Sequence, residues 1–69
     1  MAWDSKFVNY GIIKIKGPKV LVYKDQFSYA TISVGVLVMK ANWSGGILNV
    51  TLHDGTVRRY WDENNFITI

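Results

Sequence analysis

Residues Tyr29–Trp43 read YATISVGVLVMKANW, and the placing of this stretch decides the fold. It carries the β-branched residues Thr31, Ile32, Val34, Val36 and Val38. Such side chains are stiff at χ1 and suit a pleated strand better than a helix. The alternation changes phase partway. Ala30, Ile32 and Val34 are apolar at even positions, against Thr31 and Ser33. Further on, Leu37, Met39, Ala41 and Trp43 are apolar at odd positions, against Lys40 and Asn42. A strand of period two cannot change its buried face without a bulge or a sharp bend. Gly35 stands at the change, and glycine allows such a kink. The stretch is expected to form one long bent strand, or two strands joined by a corner, that serves both halves of a small barrel.

On its N-terminal side, residues 11–24 predict a hairpin turning at Gly17-Pro18. A two-residue loop sets Ile15 against Val20 and Ile13 against Val22, which gathers four apolar side chains on one face. The other face then holds Ile12, Lys14, Lys16, Lys19, Leu21 and Tyr23, with Lys16 opposite Lys19 in a mildly unfavourable like-charge pair. Before it, Asp4 or Ser5 can cap a short helix that Gly11 ends, placing Trp3, Phe7 and Tyr10 near one face as a lid. A loop or an edge strand fits residues 1–10 equally well. Asp25–Ser28 is a connecting loop.

On the C-terminal side, Ser44-Gly45-Gly46 is a turn, and Asp54-Gly55 is a strong hairpin signal within residues 47–62. A two-residue type I′ loop there pairs Leu52 with Val57, Val50 with Arg59 and Leu48 with Trp61. Arg59 is the exception on that apolar face and is expected to reach the rim, since an unpaired buried charge is costly. Asp62–Asn65 is another turn, and Phe66–Ile69 a last short strand. The whole predicts an all-β single domain over residues 1–69: a partly open, five- to six-stranded antiparallel barrel of the SH3-like, Sm-like or OB-like size class, with one long bent central strand. A flat sheet that pairs with a second copy is the alternative.

The 69 residues contain no cysteine, so neither disulfides nor thiolate chemistry supports so small a core. Hydrophobic residues make up 49%, which argues for a packed domain rather than disorder. Eight Lys and Arg against five acidic residues give a net charge of +3, a mild basic bias. No run approaches a membrane span and the N-terminus lacks an apolar signal core, so a soluble, cytoplasmic protein is expected.

No catalytic or metal motif stands out, and no enzyme activity or cofactor is expected. His53 is the only histidine and has only Asp54 beside it, too few ligands for a metal. The carboxylates Asp4, Asp25, Asp54, Asp62 and Glu63 fall in turns or segment ends. Gly45-Gly46 lacks the following Lys and helix of a phosphate loop. Two surfaces remain. Ile12, Leu21 and Tyr23 with Lys14 would make an apolar patch with a basic rim, suited to another protein. Lys14, Lys16, Lys19, Arg58 and Arg59 would suit phosphates, with Tyr23 or Tyr60 stacking on bases. Because the charge is low and the aromatics are not visibly interleaved with it, protein binding through the patch or an exposed strand edge is the leading expectation. A short cysteine-free chain of this kind has the look of a small phage or mobile-element protein, an inhibitor or adaptor of a host factor. Nucleic-acid binding is the alternative, and a structural subunit of a homo-oligomer the third. Tyr29, Trp43 and Phe27 are expected to close the ends of the core.

Overall fold

The computed structural model describes residues 3–69. Asp4 caps a short helix, α1 (Ser5–Tyr10), by accepting the Lys6 N–H at 3.0 Å. Gly11 closes it in the left-handed region and donates its N–H to the Phe7 carbonyl. Seven strands follow: β1 (Ile13–Lys16), β2 (Lys19–Tyr23), β3 (Tyr29–Ser33), β4 (Val38–Ser44), β5 (Ile47–Leu52), β6 (Val57–Tyr60) and β7 (Phe66–Thr68). They form two antiparallel sheets, β1-β2-β3 and β4-β5-β6-β7. The expected five or six strands are thus seven, in two sheets rather than one continuous ladder.

The first hairpin has the expected register, with Ile13 opposite Val22 and Ile15 opposite Val20. The central stretch takes its two-strand form. Gly35, at φ 82°, lies in the corner between β3 and β4, which belong to different sheets. The change of face, however, comes later than Gly35. Val34 and Val38 are both buried on either side of the corner, while Val36 within it is exposed. Val38 pairs with Leu52 and Lys40 with Thr51, which leaves Met39 as the extra residue of a β-bulge. That insertion moves Ala41 and Trp43 inward and leaves Leu37 and Met39 on the surface.

The second hairpin is one residue out of the expected register. Thr51 pairs with Val57, Val50 with Arg58, Asn49 with Arg59 and Leu48 with Tyr60. The loop has three residues, His53-Asp54-Gly55, not two. The Leu52 N–H donates to the Thr56 carbonyl at 2.8 Å, and Gly55 sits at φ 91°, where a side chain would be strained. The Asp54 carboxylate secures the loop by accepting the Thr56 N–H. One residue of slip turns every β6 side chain over. Tyr60 therefore enters the core at 2% exposure, and Arg59 lies on the exposed face rather than at the rim of the buried one.

The inner faces share one core of Val20, Val22, Ile32, Val34, Val38, Leu48, Val50, Leu52 and Tyr60. Each fully buried aliphatic side chain contributes about 1.5–3 kcal/mol relative to exposure. Trp3 closes one end, as expected for the lid. Its ring meets Phe7 and Trp43 edge-on at 5.5 and 5.4 Å, and its indole N–H donates to the Tyr60 carbonyl at 3.0 Å. Tyr10 does not join them and stays exposed. β1 packs beside β4, where the Val38 N–H donates to the Gly17 carbonyl at 3.0 Å. The radius of gyration, 10.9 Å, equals that of a compact domain of this length, about 11 Å.

Candidate functional site

Alternation and register fix what the outer face of β1-β2-β3 displays. Lys14, Leu21 and Thr31 make one cross-strand row, and Lys16, Lys19 and Ser33 a second. Tyr23 pairs with Tyr29 in a third, and the Tyr23 N–H bonds the Ile12 carbonyl, which extends that row to Ile12. The face thus carries three lysines, two tyrosines and no carboxylate. Rows on one face of a strand lie about 6.6 Å apart, so the paired lysines sit about 13 Å from the tyrosine row.

The tyrosine end is built. The Tyr23 and Tyr29 rings lie 5.1 Å apart, and the Lys14 ammonium sits 5.4 Å from the centre of the Tyr23 ring. That contact places the charge over the face of the ring, a cation–π pair on the sheet surface. Tyr29 is 54% exposed. Beyond it the β2–β3 loop lifts Phe27 to 84% exposure. The loop is not loose: the Asp25 carboxylate accepts the Phe27 and Ser28 N–H groups at 2.8 and 2.7 Å. Those bonds hold the Asp25 carboxyl below its ordinary range, so it is ionised and is the counter-charge at that end. At the other end, Lys16 stands directly opposite Lys19. Like charges in that position oppose pairing, and no acidic side chain on the face relieves them.

The sequence-derived candidates divide into three places. Ile12, Lys14, Lys16, Lys19, Leu21 and Tyr23 share the outer face. Leu21 is only 8% exposed, so the expected apolar centre of the patch is small. Arg58 and Tyr60 point inward instead. The Arg58 Nη1 donates to the Val34 carbonyl at 3.2 Å and to the Tyr60 hydroxyl at 3.3 Å. Its guanidinium lies 4.6 Å from the centre of the Phe66 ring. Arg58 therefore ties β6 to the end of β3, and the buried Tyr60 ring offers no face to a base. Arg59 stands on the outside of the other sheet, over a shallow depression with Ser44, Ile47 and Asn49.

Tyr29 and Phe27, expected at the core ends, are exposed instead: Tyr29 beside Tyr23, and Phe27 in the β2–β3 loop. The signal was parity: Tyr29 shares its strand face with Thr31 and Ser33, the polar positions of β3. Trp43 does pack at the core end, half-buried against Trp3, while Trp61 is half-buried. Among the described residues no three His, Cys, Asp or Glu side chains converge on a metal position. No helix among them is long and apolar enough to cross a membrane. Comparisons with family models, curated proteins and solved structures gave no match.

Proposed function

We propose that the chain is a non-catalytic nucleic-acid-binding module whose working surface is the outer face of β1-β2-β3. The observation that carries this reading is the shared face: Lys14, Lys16 and Lys19 with Tyr23 and Tyr29, and no carboxylate among them. Protein binding led the sequence reading because aromatics and charges did not visibly share a face. The register removes that objection and reverses the order of the two. Lysine is depleted in protein interfaces, whereas it is an ordinary phosphate contact. An unrelieved Lys16–Lys19 pair is a local cost, and an anion lying across it relieves it. In this proposal the two sheets are the halves of a partly open barrel, with β1 beside β4 and the gap between β3 and β7.

The test is fluorescence anisotropy with labelled DNA and RNA at two salt concentrations. Three lysine–phosphate contacts give a log–log salt slope of about −2, or about 15-fold weaker binding between 50 and 200 mM salt. Lys14→Ala, Lys16→Ala and Lys19→Ala combined should abolish that slope. No binding at low salt would remove the reading.

A protein partner is the second reading, favoured by a different place. The Trp61 N–H bonds the Asn65 carbonyl and the Ile69 N–H the Val57 carbonyl. The backbone groups of Phe66 and Thr68 therefore face away from β6, along an edge with no charged side chain. A partner strand adding there would bury Ile67, now 53% exposed. Ile67→Lys should then abolish capture of the partner, while the lysine variants above leave it intact.

A further inference from the structure

We infer that the ligand of the outer face is single-stranded, and that Tyr29 and Phe27 are the surfaces on which its bases stack. This rests on the nucleic-acid reading and goes one step past it, from phosphate contact to base contact. Three observations carry it. First, the two most exposed rings stand at one end of the lysine face: Tyr29 at 54% and Phe27 at 84% exposure, with Tyr23 in contact with Tyr29. Exposed aromatic rings have little to gain from a duplex, whose base faces are hidden inside the stack. An unpaired strand offers a π-face at every base. Second, the face is three strands wide, about 10 Å, and its residues come from β1, β2 and β3 rather than from a helix that could enter a groove. Third, the backbone that carries the rings is held in place. Tyr29 lies in β3, and the Asp25 hydrogen bonds fix the loop that carries Phe27. Little backbone ordering entropy is then left to lose on stacking.

The geometry also gives a direction. The lysine rows follow the tyrosine row at about 6.6 and 13 Å along β2, a spacing that suits successive phosphates of one extended strand. A base on Tyr29 would leave its backbone running past Lys14 to the Lys16–Lys19 pair. At the ring end Asp25 is offset by the adjacent Lys24, whereas the Lys16–Lys19 pair is unrelieved, so the ring end takes the base and the turn end the backbone.

The experiment compares four labelled probes by anisotropy: a twelve-nucleotide oligothymidine, an abasic strand of the same length, a twelve-base-pair duplex and heparin. The proteins are the full chain, Tyr29→Ala, Phe27→Ala and the triple lysine variant. The exposed positions of Tyr29 and Phe27 make their truncation compatible with folding, which thermal melts check. The expected result is oligothymidine bound at least ten-fold more tightly than the abasic strand or the duplex. Tyr29→Ala should weaken oligothymidine about five- to hundred-fold while leaving the abasic strand unchanged. Equal binding of oligothymidine and abasic strand overturns the inference, as does an unaffected Tyr29→Ala. If the triple lysine variant still loses all four probes in that case, the face binds phosphate alone and the broader reading stands. No binding of any probe by the full chain overturns both.

Discussion

Trp3 and Trp43 touch edge-on at 5.4 Å, yet replacing each by phenylalanine should have opposite consequences. The Trp3 indole N–H donates to the Tyr60 carbonyl at 3.0 Å in a buried setting. Trp3→Phe loses that bond, worth about 0.5–1.5 kcal/mol, and leaves the carbonyl one partner short. The smaller ring also gives up about 40 Å² of buried area, about 1 kcal/mol more. The sum is a loss of about 2 kcal/mol. The Trp43 Nε1 is buried without a hydrogen-bond partner. Trp43→Phe removes that orphan donor, which recovers about 1–3 kcal/mol of desolvation and offsets the lost area. Its stability should lie between unchanged and about 2 kcal/mol higher. A domain of this length has a total stability of about 3–10 kcal/mol, so the contrast is large. Equilibrium urea unfolding is the assay. With an m-value near 1 kcal/mol/M, the two midpoints should differ by about 2 M or more. If Trp43→Phe destabilises as much as Trp3→Phe, the argument from hydrogen-bond satisfaction is wrong.

Arg58→Ala should cost about 2 kcal/mol by chemical denaturation, because it removes two hydrogen bonds and the Phe66 contact, whereas Arg59→Ala should stay within about 0.5 kcal/mol. Gly55→Ala should lower stability by about 1–2 kcal/mol, since φ 91° strains any side chain; an unchanged melting temperature would mean that the loop relaxes. The Asp25, Asp54 and Asp62 carboxyls are held below their ordinary range: Asp25 chiefly by the backbone N–H of Phe27, Asp54 by the Thr56 side chain and N–H, and Asp62 by the Asn64 N–H. Their contribution is complete above the unfolded value of about 3.9 and is lost as pH falls through the lower folded values, so thermal melts from pH 6 to 2 should show an acid limb that Asp25→Asn and Asp54→Asn flatten. The uncharged β7 edge suits a second copy as well as a partner strand; if the melting temperature rises with protein concentration, Ile67→Lys should remove that dependence.

Much of the fold was legible wherever a loop length left one choice. Gly17-Pro18 admits a two-residue loop, and with it the register of β1 on β2 and the composition of the outer face. Asp54-Gly55 admits two loop lengths that differ by one residue. Alternation could not separate them, because Arg58 and Arg59 are chemically alike and Tyr60 and Trp61 are both large aromatics. The choice falls to Gly55 in the left-handed position and to the Leu52–Thr56 hydrogen bond, neither of which a pattern of apolar residues records. Gly35 drew the phase change to itself because bulges leave no residue type of their own. Met39 carries it, and only the pairing partners of Val38 and Lys40 reveal that. Half of the candidate surface followed from parity in the first hairpin. Tyr29 and Phe27 were missed because the register of β3 on β2 was needed to bring Tyr29 beside Tyr23.

The corner at Gly35 also divides the folding problem. Every ladder in both sheets joins strands that are neighbours in the chain: β1 to β2 to β3, then β4 to β5 to β6 to β7. Neither half needs a distant segment before its hydrogen bonds can form. The contacts that must wait are those across the core, between one finished meander and the other. Short loops and nearest-neighbour pairing place the chain toward the fast end for all-β proteins, whose slow members are delayed by closing long loops. The last event in refolding should then be the docking of the two meanders, and slowing it would require a change at the shared core rather than in any of the turns.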